Sequence, residues 1–297
     1  MPDKTKVNSK VSSTIAKTDD GTIQITYIIP SVIILEEKKK ALQEAANDLE
    51  IPGFRKGKAP IAKVEEHVPK ETLIEHILGH ILPGVFGETI KANNLKPAIY
   101  PRFEAVSINE GEDWQIRAVT CEIPQVNLGD YKHTLEGEMR ASNIWTPDKG
   151  KGDEKKEMSE AEKESIALNA LLKIVKVKIP KILIEQDVNS RLSQLLERLE
   201  KLNIALDSYL ASIGKTTTEI RQEYEKQAEQ SLVIELALNK VADTENVKIS
   251  EEDIDSALKV ASGDEKLYEK LNTEEQRRLV GSVLKRKEAL KSITSII

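Results

Sequence analysis

Aromatic residues are scarce in this sequence: three Phe, two Trp and six Tyr make up 4% of the 297 residues. Large aromatic side chains supply much of the bulk of a globular core, so one thick core along the whole chain is hard to build. Leucine, isoleucine and valine on helical stripes can pack thinner cores instead. We therefore expect a helix-rich chain of elongated shape.

Disulfides and membrane spans are missing as well. Cys121 is the single cysteine, which excludes an internal disulfide; it lies in a predicted strand without metal-spaced partners, which predicts a small buried residue. The longest apolar stretch, residues 27–35, is too short to cross a bilayer. Residues 1–17 are polar and lack the apolar region of a secretory signal. We expect a soluble, cytoplasmic protein without a membrane partner.

Positive charge is also in deficit, because 44 Lys and Arg oppose 50 Asp and Glu, for a formal net charge of −6. This balance argues against nucleic-acid binding spread over the whole surface, so any such contact must be local. The length is sufficient for two domains of ordinary size.

The first 132 residues predict an α+β domain. Apolar residues alternate with period two over residues 22–29, and the turn residues Asp19-Asp20-Gly21 before them predict a hairpin with a partner strand over residues 7–17. The remaining predicted elements are helices over 36–49 and 70–93 and strands over 100–108 and 114–123. Pro83-Gly84 should kink or split the helix over 70–93.

Residues 133–158 mix glycine and proline with many charges and predict a linker. Residues 159–297 predict an elongated all-α domain. Pro180 is suited to the first position of a helix that runs to about residue 203. Apolar residues of this helix, from Val188 to Leu202, are spaced to pack against a partner helix. Three helix starts are marked by capping boxes, at Ser159-x-x-Glu162, Thr216-x-x-Glu219 and Thr273-x-x-Gln276.

The loop over residues 53–60 is unusual for its chemistry. Two glycines and a proline bracket Phe54-Arg55-Lys56, so the backbone should turn tightly and push these side chains outward. Residues 51–64 hold four cations and no acid; the cations are Arg55, Lys56, Lys58 and Lys63. Such a loop suits RNA phosphates or an acidic protein patch. The alternative is a plain helix connector with solvated charges and Phe54 folded into the core.

The motif Gly-Phe-Arg-x-Gly-x-x-Pro resembles the signature of the ribosome-binding domain of the trigger factors, a family of bacterial chaperones. The matching positions are Gly53, Phe54, Arg55, Gly57 and Pro60. The resemblance implies that Phe54, Arg55 and Lys56, with Lys58, contact the large ribosomal subunit at an exit-tunnel protein and adjacent rRNA. It also implies that Gly53, Gly57 and Pro60 set the loop shape.

The resemblance extends to residues 207–255, which are similar to the helical domain that cradles nascent and unfolded polypeptides in this family. It implies a ribosome-associated chaperone of the cytoplasm, with no cofactor and with homodimerisation off the ribosome left open. Most members carry a peptidyl-prolyl isomerase domain in between, and residues 134–158 are too few to form one. We therefore expect no enzymatic activity; the alternatives are a residual isomerase or a ribosome-docked scaffold that is not a chaperone.

His76 and His80 are spaced to share one helical face, a pattern that can hold a metal ion, with His67 or Glu75 as a third ligand. Apolar neighbours surround the pair, and two histidines on a helix are more often structural or solvated. The sequence therefore predicts no metal site.

Overall fold

The computed structural model describes residues 10–48, 51–142 and 158–296. The chain forms two compact units: the first runs to Ile123 and includes Pro180–Leu183, and the second comprises Pro124–Ile179 and the residues from Ile184 onward. The first unit holds a small antiparallel sheet with helices and the second is helical, which confirms the predicted fold class. No helix within the described residues is long and apolar enough to cross a membrane.

Within the described residues, the first unit has four strands and three helices of its own. Its elements are β1 (Ser12–Lys17), β2 (Thr22–Ile29), α1 (Ser31–Asp48), α2 (Ile61–His67), α3 (Lys70–Asn93), β3 (Arg102–Ser107) and β4 (Trp114–Cys121). The strand order is β1-β2-β4-β3, with every neighbouring pair antiparallel. Ile25 and Tyr27 of β2 lie opposite Ala118 and Ile116 of β4, and all four are buried. The period-two pattern therefore places one face of this sheet in the core.

Two elements of the first unit differ from the sequence prediction. α1 begins at Ser31 rather than at residue 36, because Ile34 is buried and brings the first turn into the core. The sequence predicted that Pro83-Gly84 would kink or split α3, and the split does not occur, because α3 runs unbroken through Pro83. Leu82 and Phe86 are buried on either side of the proline, and this packing holds the helix in place despite the missing backbone donor.

Residues Pro180–Leu183 pack with the first unit although they lie far along the chain. The Ile182 side chain contacts Val119 and the fully buried Cys121, as the sequence predicts for this cysteine. Burial, with a smaller contribution from the charge of Asp20, raises the pKa of the Cys121 thiol to about 11, so the thiol stays protonated at neutral pH.

Eight helices within the described residues build the second unit. They are α4 (Tyr131–Ser142), α5 (Glu160–Ile174), α6 (Lys181–Lys201), α7 (Leu206–Ile213), α8 (Thr217–Thr244), α9 (Glu251–Ser262), α10 (Glu265–Leu271) and α11 (Glu274–Ile296). The first residues of α6, up to Leu183, belong to the first unit instead. Leu135 of α4, Leu171 of α5, Val241 of α8 and Ile293 of α11 are buried together in one core. The final helix, α11, thus belongs to the core of this unit.

The predicted linker is wrong over residues 133–142, because α4 occupies them and buries Leu135 completely. The sequence pattern did not predict this helix, because it contains Gly137 and many charges and has few apolar residues on its inner face. The first unit also ends at Ile123, before the predicted boundary at residue 132. Residues 143–157 of the predicted linker lie outside the described residues.

The predicted helix starts agree with the hydrogen bonding. Ser159 and Thr216 form full capping boxes with Glu162 and Glu219. Ser250 forms a third with Asp253. The Thr273 hydroxyl accepts from the backbone N–H of Gln276 at 3.3 Å. These contacts pair backbone donors that would otherwise be left open at the first turn of each helix.

Candidate functional site

The candidate site is the loop between α1 and α2, and backbone hydrogen bonds fix its shape. The Phe54 N–H donates to the Ile51 carbonyl at 3.0 Å, and the Lys58 N–H donates to the Arg55 carbonyl at 2.9 Å. Gly53 and Gly57 both adopt a positive φ, 85° and 74° respectively. A side chain at either position would strain the backbone, so the two glycines permit both turns.

Both ends of the loop are anchored in the core of the first unit. Ile51 is buried at its start, and Val64 is fully buried just beyond its end. The Pro60 carbonyl accepts from the N–H groups of Lys63 and Val64, which begins α2 directly after the loop. Residues 52–58 are all exposed between these anchors. A rigid base therefore presents a short exposed segment.

Phe54 points out of the core, with 43% of its surface exposed. The alternative in which this ring folds back into the core is therefore wrong. An open surface depression lies beside the ring and is lined by Ile51, Pro52, Phe54, Arg55 and Lys56. An exposed aromatic next to cations is typical of a contact surface and not of a packing residue.

The cations of this region fall into two groups. Arg55 and Lys58 form no ion pair with any side chain in the part of the chain that the structure describes. Lys63 instead pairs with Glu66 one turn along α2, at 2.8 Å. Lys63 was predicted to face the binding partner with the others, and its i,i+3 spacing to Glu66 was the missed signal. Arg55 and Lys58 thus carry positive charge that no ion pair within the described residues offsets.

The helical unit also carries large apolar side chains that are exposed. We name two groups: the α6–α7 patch, with Leu196, Leu202, Ile204 and Ile213, and the α9–α11 patch, with Val260, Leu267, Leu279 and Val283. Leu202 was predicted to complete a packed seam with Val188, yet Val188 is buried and Leu202 exposed. Leu279 and Val283 lie one turn apart on α11, so they share a face. Single exposed apolar side chains are common on protein surfaces, whereas neighbouring ones such as Leu279 and Val283 can contribute to a contact surface.

His76 and His80 lie on one face of α3, as their spacing predicts. The carboxylate that approaches them comes from Glu44 of α1, and neither His67 nor Glu75 joins the group. The His67 ring is engaged with the Lys63 carbonyl at 2.8 Å. Glu44 is far from the histidines in sequence, so only the packing of α1 on α3 reveals this cluster.

Two family models match this chain in succession. Residues 11–145 match the model described as "Bacterial trigger factor protein (TF)", and residues 151–295 match "Bacterial trigger factor protein (TF) C-terminus". Together they cover most of the chain, which therefore belongs to the trigger factor family. The second match follows the first almost directly, so the chain lacks the peptidyl-prolyl isomerase domain between them.

Individual relatives agree with this assignment. The trigger factor of Clostridium botulinum (strain Hall) is 31% identical over 114 residues, which is 38% of this chain and 26% of the relative. The trigger factor of Clostridium perfringens (strain 13) is 31% identical over 116 residues, 39% of this chain and 27% of the relative. The alignment thus spans about a quarter of each curated relative.

A solved structure has the same fold. It comes from work titled "Promiscuous Substrate Recognition in Folding and Assembly Activities of the Trigger Factor Chaperone", and it superposes with a TM-score of 0.60 over 96% of this chain and 99% of that one. The sequence identity is 14%, so this likeness concerns the fold alone.

Proposed function

We propose that this protein is a ribosome-docked chaperone of the cytoplasm that holds nascent and unfolded polypeptides without catalysing a reaction. The main support is the exposed Phe54 ring beside Arg55 and Lys58, which lack ion-pair partners within the described chain, on a loop fixed by Gly53 and Gly57. Membership of the trigger factor family makes the large ribosomal subunit the natural partner for this loop.

In this proposal, the cations and the aromatic ring of the loop make different docking contacts. Arg55, Lys56 and Lys58 meet rRNA phosphates and acidic side chains near the exit tunnel, while the Phe54 ring enters an apolar pocket of a tunnel protein. Gly53, Gly57 and Pro60 hold the turns, so little loop entropy is lost on binding.

The helical unit supplies the second contact. Exposed apolar groups such as Leu279 and Val283 offer weak, scattered contacts to unfolded chain. Docking raises the local concentration of these groups around an emerging chain, so each contact can stay weak and release quickly. Rapid release matters because a tightly held chain could not fold.

Catalysis is not part of this proposal. Prolyl isomerisation requires an enclosed apolar pocket that binds the twisted prolyl bond more tightly than its ground state. The family places such a pocket in a separate domain, and this chain lacks that domain.

Sedimentation with purified ribosomes tests the docking half of the proposal. Phe54→Ala/Arg55→Ala/Lys56→Ala should lose ribosome binding, whereas the control Tyr100→Ala/Lys91→Ala/Lys96→Ala removes one exposed aromatic and two exposed cations from the same unit and should bind normally. Equal binding by both variants would overturn the assignment of the loop. Suppressed aggregation of several unrelated unfolded clients separates a chaperone from a scaffold with one dedicated partner.

A further inference from the structure

Glu44 of α1 meets His76 and His80 of α3 at the surface of the first unit. A Glu44 carboxylate oxygen lies 3.7 Å from His76 Nε2 and 3.4 Å from His80 Nε2. The three donor atoms all fall within 4.8 Å of one another. We propose that these side chains bind a divalent transition metal of the zinc class, which cross-links α1 to α3.

The backbone already brings the ligands together. His76 and His80 are four residues apart, so both rings project from one face of α3, with centroids 4.8 Å apart and a tilt of 50°. Leu42 of α1 and Ile77 of α3 lie in one core cluster, which fixes the two helices against each other. Metal bonds of ~2.0–2.2 Å in a tetrahedral arrangement put ligand atoms ~3.3 Å apart. Small rotations of exposed side chains reach this spacing.

Glu37 supplies the outer support that zinc histidines commonly have. Its Oε2 lies 3.5 Å from His80 Nδ1, on the ring edge opposite the Glu44 contact. A carboxylate that accepts from Nδ1–H leaves Nε2 free to bind the ion and orients the ring. Lys40 bonds to the other Glu37 oxygen at 2.6 Å, so a second contact orients the Glu37 carboxylate beside His80.

The ligand types select the metal. Two imidazoles and one carboxylate suit Zn²⁺, Ni²⁺ and Cu²⁺, whereas Mg²⁺ and Ca²⁺ prefer oxygen ligands alone. His76 and Glu44 are half exposed, so water can complete the coordination. Glu44 also lies two residues before Ala46, whose carbonyl accepts from the Gly57 N–H. A bound metal would therefore stiffen the end of α1 that supports the exposed loop.

Calorimetric titration of the untagged full-length chain with ZnCl₂ tests the site. We expect one strong site that His76→Ala, His80→Ala and Glu44→Gln each weaken by at least ~30-fold. Glu37→Gln should weaken it by about tenfold, the usual effect of losing an outer carboxylate. The matched control is His67→Ala/His133→Ala, which removes the two histidines outside the cluster and should leave the affinity within about twofold.

Melting curves give an independent readout, since a ligand of the folded state raises the Tm. Zn²⁺ should raise the Tm of the wild type and of the control but not of His76→Ala, while Mg²⁺ should have no effect. The variants should match the wild type in Tm without metal, because all three ligands are at the surface. Zinc binding that survives in His76→Ala and His80→Ala, or that is lost in the His67/His133 control, would overturn the proposal. The absence of any zinc effect on the wild type would do so too.

Discussion

The backbone N–H of Gly57 donates to the carbonyl of Ala46 at 2.9 Å. This bond ties the exposed loop to the last turns of α1, a helix whose Ala46 side chain is buried in the core. The packed helix therefore fixes the position of the loop, although residues 52–58 of the loop are exposed. Preorganisation of this kind lowers the entropy cost of binding.

The two glycines of the loop should respond differently to substitution. Gly53→Ala and Gly57→Ala both force an L side chain into positive φ, which costs about 1–2 kcal/mol. A Cβ at Gly57 would also approach Asn47 Oδ1 to 3.0 Å, whereas nothing lies within 4 Å of one at Gly53. We expect Gly57→Ala to be the more destabilising in urea unfolding.

The extra cost at Gly57 can be isolated. Asn47→Ala removes the crowding atom, so Gly57→Ala in that background should match Gly53→Ala. The assigned loop geometry is wrong if Gly57→Ala lowers the free energy of unfolding by less than Gly53→Ala does, whether Asn47 is present or replaced by Ala. Asn47 would then not crowd the loop at Gly57.

Ribosome binding should weaken with salt in proportion to the loop cations. Each neutralised phosphate contributes roughly 0.7–0.9 to the slope of log K against log salt. Arg55→Gln/Lys58→Gln should lower that slope by about 1.5. Lys63→Gln should change it little, because Lys63 is already paired with Glu66. A slope unchanged in the double variant would show that the contact is apolar alone.

Glu245 is a pH-dependent contact of the helical unit. It accepts from the Tyr131 hydroxyl at 3.0 Å, from Ser292 and from Lys132 at 3.3 Å, and 15% of its side chain is exposed. Desolvation is the largest influence and raises the Glu245 pKa, but these hydrogen bonds outweigh it and the net pKa is lowered. Burial, followed by the bond to Glu245, raises the pKa of Tyr131 to about 12.

A depressed pKa adds stability above the unfolded value of 4.5, and this stability is lost as pH falls through the lower folded value. Glu245→Gln should therefore lower the free energy of unfolding by about 1–3 kcal/mol at pH 7. The difference from wild type should shrink as the pH falls below 4.5, as followed by urea titrations at several pH values. A difference that is constant across that range would contradict the assigned ionisation.

Client holding should depend on the α9–α11 patch. Leu279→Gln/Val283→Gln places polar helix formers at two exposed positions, so the Tm should hold while suppression of client aggregation declines. The control Glu275→Gln/Lys287→Gln changes two exposed polar positions of α11 without altering the net charge. Equal suppression by the two variants would exclude this patch from client contact.

Proline-limited refolding of a client should keep its slow phase. Uncatalysed prolyl isomerisation takes roughly tens to hundreds of seconds, so even weak catalysis is visible. We expect suppressed aggregation with a slow phase that is unchanged or retarded. Acceleration of the slow phase that co-purifies with the protein through several columns would show that the protein is an enzyme.

The sequence predicted features whose causes are local. The loop, the capping boxes and the alternating strands each depend on residues within a few positions, and all appear in the structure. The pairing of Lys63 with Glu66 was equally local and could have been predicted. Several features that depend on tertiary packing were not predicted. The polar segment that forms α4 is stabilised by burial of Leu135 in the core of the helical unit. Glu44 contacts His76 because α1 packs on α3.

Translation of an aggregation-prone client in a reconstituted system tests the central claim most directly. Docking should matter only while the client emerges, because it acts through effective concentration. Phe54→Ala/Arg55→Ala/Lys56→Ala should therefore lose protection during synthesis at substoichiometric dose. It should still protect the same client when that client is diluted from denaturant. Full protection in both assays, or loss in both with an unchanged Tm, would contradict a chain that docks through one unit and holds clients through the other.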